Sequence, residues 1–243
     1  MNRSAGAGAR TRSRAWRYGT SGVLAALALT TLPPSAAQAS PHASTSRCKA
    51  GTGPYQRQLE AFLHRTVDGQ QTAADCAAIR GFQRKHRISP ADGYADLETY
   101  RTVELVKAGK NPNRAGKCPV RRFKVACMDM DRQLLWVQQG KKVIYGPVMT
   151  RTGREGQETR SGWHKIYWKH RKHVSSLYNN APMPYAQFFN KGQALHGSPK
   201  GLYNGGGSAG CINLTVPDAK RLWGVLRVGD RLYVWGHKPG TQG

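Results

Sequence analysis

The period of the apolar residues changes once along this sequence, at the polar segment from Asn111 to Lys117. Before it, apolar residues recur at three- and four-residue steps, as at Tyr55, Leu59 and Phe62, which is the spacing of an amphipathic helix. After it, they alternate with polar residues, as in the run from Phe123 to Cys127, which is typical of a half-buried strand. The sequence therefore predicts a helical region followed by a region of strands, an α+β fold class.

Three helices are expected in the first region. One contains Tyr55 to Leu63, and a second runs from Asp75 to His86 with Ile79 and Phe82 on its apolar face. Pro90 and Gly93 then mark a turn, after which Asp96 can cap a third helix that ends near Val106.

Short strands separated by turn residues are expected in the second region, and they favour an antiparallel, mostly β domain. A short helix with Pro217 at its start precedes the last strand. The remaining predicted segments are the strands 134–137, 143–149, 161–168 and 231–235, and the helix 218–226.

The first 39 residues have the pattern of a secretory signal peptide. Arginines come first, an apolar run from Val23 to Leu29 follows, and the small-residue site Ala37-Gln38-Ala39 ends the segment. The apolar run is shorter than the ~20 residues that span a bilayer. We expect export to the cell wall or the extracellular space, and the alternative is a signal segment retained as a membrane anchor.

The chain carries a formal net charge of +25. Five arginines in the predicted signal peptide supply part of it, so the exported chain would carry +20, from 25 − 5. Such a surface binds polyanions non-specifically. Since an exported protein does not meet nucleic acid, we expect anionic cell-wall polymers as its partners and no nucleic acid.

The five cysteines are an odd number for an oxidising compartment, where cysteines pair. Four cysteines allow three pairings, and the sequence does not choose between them. Closeness in sequence favours one pair in the helical region and one in the strand region, which leaves Cys211 as a free thiol. The favoured pairs are Cys48 with Cys76 and Cys118 with Cys127.

A glycine-rich stretch separates His196 from Cys211, which lies fifteen positions later. Glycine weakens a strand but permits sharp turns and a close approach of ligand to backbone, so a loop is predicted. An imidazole can take the proton of a thiol and leave a charged pair, which makes the sulfur a nucleophile. With Gly210 turning the chain, the N–H groups of Ala209, Gly210 and Cys211 can form an oxyanion hole. These residues indicate acyl transfer through a thioester.

Three stretches around this pair closely resemble the L,D-transpeptidase catalytic family. They are the Met-Pro-Tyr stretch at 183–185, the Ala-Leu-His-Gly-Ser block at 194–198 and the Ser-Ala-Gly-Cys-Ile-Asn block at 208–213. The resemblance covers about residues 120–236 and implies a β-sandwich-like domain with Cys211 as nucleophile and His196 as base. It departs from the family at Ala209, where histidine is usual, and a backbone role at this position would tolerate alanine.

The resemblance also implies roles for further residues. Ser208 would support the oxyanion hole, together with Ala209 and Gly210. Ser198 could orient His196, although a backbone carbonyl could equally do so. The residues expected to contact substrate are Met183, Tyr185, Gly197 and Asn213.

The helical region resembles the small peptidoglycan-binding domain. The shared residues are the Phe82-Gln83 pair, the turn Asp92-Gly93 and the Thr99-Tyr100 pair near the start of the last helix. The alternative is a stabilising helical domain without a ligand of its own. The expected organisation is a signal peptide (1–39), a tether (40–46), a peptidoglycan-binding-like domain (47–110), a linker (111–118), a catalytic domain (119–237) and a tail (238–243).

The family's reaction implies donor and acceptor stem peptides of peptidoglycan as substrates, no cofactor, and β-lactam-type inhibitors as acylating ligands. Cross-linking of two position-three diamino acids is expected. Two alternatives stay open: an L,D-carboxypeptidase, in which water takes the acyl group, and a non-catalytic wall-binding protein. No metal site is predicted at His164, His170 and His173, because residues 161–190 contain no Asp or Glu.

Overall fold

A computed structural model of the protein describes residues 48–49, 51–204 and 206–241. These residues belong to one compact unit. The predicted signal peptide and tether lie outside the described residues. Within the part of the chain that is described, no helix combines the length and the apolar character that a membrane crossing requires.

Three helices form the first region, as predicted: α1 (Gln56–Phe62), α2 (Ala73–Lys85) and α3 (Leu97–Ala108). Thr72 begins α2 with a capping box, in which its hydroxyl accepts from the Asp75 N–H while the Asp75 carboxylate accepts from the Thr72 N–H. The predicted cap of α3 is confirmed, because the Asp96 side chain accepts from the Thr99 N–H.

Residues of all three helices make the core of this region. Ile79 and Phe82 are buried in it, as predicted, and the cluster further contains Leu59, Ile88, Ala95 and Val103. The neighbouring Gln83 is fully buried and holds the turn to α3: its Oε1 accepts from Gly93 N–H at 2.8 Å. Its Nε2 donates to Tyr94 O at 3.0 Å and to Thr99 Oγ1 at 3.1 Å. The residues shared with the peptidoglycan-binding domain are therefore used here to build the helical core.

Two mixed sheets form the second region of the described chain. The five-stranded sheet has the order β3-β2-β1-β9-β4, and the four-stranded sheet has the order β5-β6-β7-β8. The strands are β1 (Lys124–Asp129), β2 (Leu134–Gln139), β3 (Lys142–Met149), β4 (Gly162–Lys165), β5 (Trp168–Val174), β6 (Pro182–Asn190), β7 (Gln193–Gly197), β8 (Ile212–Leu214) and β9 (Arg231–Trp235).

Two predictions about the strands are wrong. The sheets are not purely antiparallel, because β1 pairs with β9 and β7 with β8 in parallel. The segment 161–168 is not one strand, because β4 and β5 belong to different sheets and the chain changes sheet at the buried Ile166. The sequence also gave no indication of β6, β7 and β8, which carry the candidate site.

The main core lies between the two sheets. Met128 and Leu135 come from the five-stranded sheet, and Leu195 and Ile212 come from the four-stranded one. The helix α4 (Val216–Val225) adds the fully buried Leu222 to the same cluster. Because Leu195 of β7 and Ile212 and Leu214 of β8 face this core, their neighbours along each strand face the opposite side of the sheet.

Two disulfides link the cysteines in the pairs that closeness in sequence favoured. Cys48 is bonded to Cys76, and Cys118 to Cys127. The first bond ties the chain before α1 to α2, and the second ties the segment before β1 to β1 itself. Cys211 is the free cysteine of the described residues.

Replacing Gln83 tests whether it stabilises the helical region. Gln83→Leu leaves Gly93 N–H and the Thr99 hydroxyl without the partner that Gln83 provides, and Tyr94 O keeps only its bond from Asp96 N–H. Each unsatisfied buried group costs about 1–3 kcal/mol. We expect the free energy of unfolding to fall by roughly 3 kcal/mol or more, measured by urea denaturation. Gln58→Leu makes the same chemical change at an exposed position of α1 and should change stability by less than about 0.5 kcal/mol. Equal effects of the two substitutions would contradict this role.

Candidate active site

The pairing of β7 with β8 brings the predicted catalytic residues to one face of the sheet. His196 lies opposite Asn213, and Leu195 lies opposite Ile212. Cys211 directly precedes β8 and packs with Ala194, two residues before His196. Because side chains alternate along a strand, His196, Cys211 and Asn213 project from the face opposite the main core.

Two hydrogen bonds orient the His196 imidazole, which is 8% exposed. Its Nδ1 lies 2.8 Å from Gly197 O, and its Nε2 lies 2.8 Å from Asn213 Nδ2. A carbonyl only accepts and an amide NH₂ only donates, so the proton is on Nδ1 and the lone pair is on Nε2. The orienting group is thus the Gly197 carbonyl and not Ser198, whose hydroxyl donates to Gly201 O at 2.9 Å.

Arg151, which the sequence analysis did not single out, sets the direction of the Asn213 amide. Its Nε and Nη2 lie 3.3 and 3.0 Å from Asn213 Oδ1, which directs Nδ2 towards the imidazole. The backbones of the two residues also exchange N–H···O bonds at 3.0 and 2.9 Å. The only available signal was the position of Arg151 within the range 120–236 that the family resemblance covers.

The Cys211 thiol is partly buried among apolar side chains. Its neighbours are Met183, Ala186, Phe188 and Ala194. Burial raises the pKa of the thiol, and a hydrogen bond from the backbone of Ala194 only partly offsets this effect. The nearest acceptor is Gly192 O at 4.0 Å, and no hydrogen bond joins the sulfur to the imidazole in the described residues.

Burial also lowers the pKa of His196 to about 4, and the charge of Arg151, with that of His173 when it is protonated, acts in the same direction. The hydrogen bond to Gly197 opposes this shift but does not overcome it. At neutral pH the site therefore holds a neutral thiol and a neutral imidazole, not the charged pair expected from the sequence. Proton transfer between them would have to accompany attack on a substrate.

The loop before Cys211 is held by its own polar groups. Ser208 Oγ donates to Cys211 O at 2.6 Å and accepts from Gly210 N–H at 3.1 Å. Gly210 O accepts from Thr159 Oγ1 at 3.0 Å. The Gly210 N–H, one of three predicted oxyanion donors, is therefore occupied within the loop. Ala209 is partly buried and contributes only its backbone and one methyl group.

The four predicted substrate contacts take different positions. Met183 packs against Cys211 from β6, while Gly197 and Asn213 contact His196 directly. Tyr185 has a positive φ of 59° and packs against the main core, with its ring 6.2 Å from that of Trp223. Tyr185 also lines an open groove of about 420 Å³ with residues of β5 and β6, namely Arg171, Lys172, His173, Val174, Pro182 and Pro184.

The three histidines considered for a metal site lie on two different sheets, with His164 on β4 and His170 and His173 on β5. His170 and His173 are on β5, where their rings contact Trp168. His164 Nε2 lies 2.8 Å from Arg160 O. Among the described residues, no group of three His, Cys, Asp or Glu side chains is placed to hold a metal ion.

The matched family model is described as the L,D-transpeptidase catalytic domain, YkuD, and covers residues 124–234. A solved L,D-transpeptidase from Stackebrandtia nassauensis is 36% identical, with coverage of 80% of this chain and 96% of that one and a TM-score of 0.59. The chain belongs to the L,D-transpeptidase family. An L,D-transpeptidase structure from Xylanimonas cellulosilytica is also similar, at 21% identity, coverage of 77% and 96%, and a TM-score of 0.44. A comparison with curated proteins gives no match.

The family match places the site within an L,D-transpeptidase catalytic domain. Its limits coincide with the first residue of β1 and the fourth residue of β9, so it spans both sheets and α4. Both His196 and Cys211 lie inside it. The fold class predicted from the sequence, α+β with a β-sandwich-like catalytic region, is confirmed.

Gly210 should not tolerate a side chain. Its φ is +99°, and a Cβ atom there would lie 2.3 Å from Gln193 Nε2, which donates to Glu158 O. Gly210→Ala should therefore lower the free energy of unfolding by about 1–3 kcal/mol, measured by denaturant titration, and displace the loop before Cys211. Gly224→Ala in α4 meets no atom within 4 Å and is the matched control, which should be neutral or slightly stabilising. An unchanged stability of Gly210→Ala would show that the loop adopts another conformation.

Proposed function

We propose that this protein is an exported, cysteine-dependent L,D-transpeptidase that cross-links position-three diamino acids of peptidoglycan stems through a thioester on Cys211. The observation that carries the proposal is the placement of a free thiol on the sheet face that also carries His196. The tautomer of that imidazole is set by Gly197 O and Asn213, which leaves a lone pair on Nε2.

In the first half-reaction, Cys211 Sγ attacks the carbonyl carbon between the diamino acid and the following D-residue. The thiol proton passes to His196 Nε2, the ring nitrogen with a lone pair. For this, the imidazole must exchange its hydrogen bond with Asn213 Nδ2 for one with the sulfur. The carbonyl becomes an oxyanion, which the Cys211 N–H and a neighbouring donor would stabilise, since Gly210 N–H is occupied.

Collapse of this intermediate breaks the C–N bond. The departing D-amino acid takes the proton from Nε2–H, and the acyl group remains as a thioester on Cys211. In the second half-reaction, the side-chain amine of another stem attacks the thioester and loses a proton to Nε2. The thiolate leaves and is reprotonated, and the new amide is the cross-link.

Asn213 and Arg151 would act as positioning residues in this scheme. Asn213 holds the imidazole in the tautomer that the reaction needs, and Arg151 holds the Asn213 amide in the matching orientation. The open groove next to Tyr185 carries Arg171 and Lys172, so its charge suits the carboxylates of stem peptides.

We also propose that residues 47–110 act as a wall-directed module, in keeping with their resemblance to peptidoglycan-binding domains. Phe82 and Gln83 are engaged inside the helical core, so contacts with the wall would come from other residues. Anionic wall polymers would be attracted by the high positive charge of the chain.

Acylation by a β-lactam tests the nucleophile directly. The purified protein should gain the mass of one β-lactam on Cys211, while Cys211→Ser should fold normally and gain none. His196→Gln should still fold and should be acylated roughly 10²–10⁴ times more slowly, because the general base is lost. The measurement is intact-protein mass spectrometry followed by peptide mapping. A native-like fold with no adduct on the wild-type protein would favour a wall-binding protein without catalysis.

Mass analysis of muropeptides distinguishes the transpeptidase reaction from the carboxypeptidase reaction. Incubation with peptidoglycan should yield dimers linked between two position-three residues and release a D-amino acid. Shortened monomers without dimers would indicate the carboxypeptidase instead. Cys211→Ser protein is the control in both cases.

The pH dependence of acylation should follow the lowered pKa of His196. The site is active while the imidazole is neutral, and activity is lost as the pH falls through its pKa of about 4. We expect less than about a twofold change in the acylation rate between pH 7 and pH 5. An imidazole with an ordinary pKa near 6.5 would lose about 25-fold over this interval. Circular dichroism at each pH controls for unfolding, and an acid limb centred near pH 6.5 would contradict the buried, neutral imidazole.

A further inference from the structure

Arg101 is a buried cation that forms no ion pair or hydrogen bond within the described residues, and its guanidinium carbon lies 5.9 Å from the centre of the Tyr100 ring. It lies on α3 and is 6% exposed, and its Nη1 is buried without a hydrogen bond. In the described residues it makes no ion pair with a carboxylate. Burial lowers the pKa of its guanidinium. A buried charge without a counter-ion costs several kcal/mol of folding free energy, so Arg101 is expected to destabilise the fold in the absence of an anion.

Two further cations line the same cavity. The cavity has a volume of about 380 Å³ and lies between the helical region and the loop that contains Leu202 and Tyr203. Arg151 and Lys238 line it together with Arg101. Burial lowers the pKa of Lys238, and the charges of Arg151 and Arg101 lower it further. We call this space the Arg101 cavity.

The other polar groups around the Arg101 cavity do not balance this charge. Gln133 donates to Met130 O and Thr152 Oγ1, Thr150 Oγ1 donates to a methionine sulfur, and so does the Tyr203 hydroxyl. None of the cavity's described lining residues is an aspartate or a glutamate. Three cations therefore converge on a space that offers them no anion.

Arg151 connects the Arg101 cavity to the candidate active site. Its guanidinium donates to Asn213 through Nε and Nη2, and to the backbone and side-chain oxygens of Asn204 through Nη1. These four bonds use four of its five N–H groups, so one N–H remains for a ligand. The cavity is nevertheless separate from the thiol, because none of the residues around Cys211 lines it.

We propose that the Arg101 cavity is an oxyanion-binding site, in which Arg101, Arg151 and Lys238 hold a carboxylate or a phosphate group. The Arg101 guanidinium can match either oxyanion by paired hydrogen bonds, Arg151 can add its one remaining N–H, and the Lys238 ammonium adds a point charge. The cavity is large enough for a group of amino-acid size. A carboxylate would come from a stem peptide, and a phosphate from an anionic wall polymer. This choice of sources rests on the proposed function, whereas the anion site itself does not.

Anion binding to the purified protein tests the proposal. Isothermal titration calorimetry at constant ionic strength, with chloride as the balancing ion, should show saturable one-to-one binding of inorganic phosphate or of N-acetyl-D-alanine. Arg101→Met and Lys238→Met should each weaken this binding at least tenfold. Lys141→Met removes a cation at the exposed turn between β2 and β3, and it should change the affinity less than twofold.

Phosphate and N-acetyl-D-alanine, the two probes, distinguish the two possible sources of the bound anion. Binding of phosphate alone supports a phosphate-bearing polymer, binding of N-acetyl-D-alanine alone supports a stem peptide, and binding of both supports a general oxyanion site. The Cys211→Ser protein should bind the probe as the wild type does, so a failure of the catalytic proposal leaves this result intact. Absence of saturable binding, or equal weakening by Lys141→Met, overturns the anion site.

A second measurement guards against misfolding of the variants. In chloride alone, Arg101→Met should melt at the same temperature as the wild type or higher, because it removes an uncompensated buried charge. Phosphate should then raise the melting temperature of the wild type but not that of Arg101→Met. A variant that melts well below the wild type in chloride would show that Arg101 has a structural role, and this would overturn the proposal.

Discussion

The parallel pairing of β7 with β8 is the constraint on which the candidate site depends. Two parallel neighbours cannot be joined by a tight turn, because the chain must return to the start of the first strand. Such a connection needs a dozen or more residues, and here it consists of the glycine-rich segment between Gly197 and Ile212. The fifteen-residue separation of His196 and Cys211 is therefore the length of a crossover. It brings the end of one strand and the beginning of the next to the same face.

In the candidate site next to this strand pair, burial favours the neutral forms of His196 and Cys211. The imidazole and the thiol are both withdrawn from water, which raises the pKa of the acid and lowers that of the base. Because the thiolate is the reactive form, a partly buried thiol with a raised pKa reacts slowly with oxidants and electrophiles from the solvent. The hydrogen bonds of the imidazole with Gly197 O and Asn213 Nδ2 then determine that Nε2 is the ring nitrogen able to take a proton.

Arg151 gives the site a connection to the helical region. Its guanidinium holds Asn213, and the residue also lines the cavity that Arg101 of α3 lines. If an anion binds there, it contacts the side chain that orients the amide beside His196. Binding and catalysis would then be coupled through one residue, and such coupling is reciprocal.

Much of this protein could be predicted from local sequence. The cap of α3, the apolar faces of the helices and the strands β1 to β3 all depend on residues close in the chain, so their spacing indicates their structure. Close sequence spacing also favoured the two disulfides that the structure contains. Ser198 and Asn213 could be named as site residues, but the bonds that they make could not.

Only the tertiary structure determined which distant segments of the chain contact each other. The strands β7 and β8 have only five and three residues, and β6 has four consecutive buried residues at 186–189, so none of the three carries a clear alternating pattern. Arg151 and Asn213 are 62 positions apart, and Arg101 and Lys238 are farther apart still. The sequence by itself determined which groups could react and where the chain had to turn. The neutral state of the reactive pair and the three converging cations required the fold, because burial and charge proximity exist only once the sheets and helices have packed.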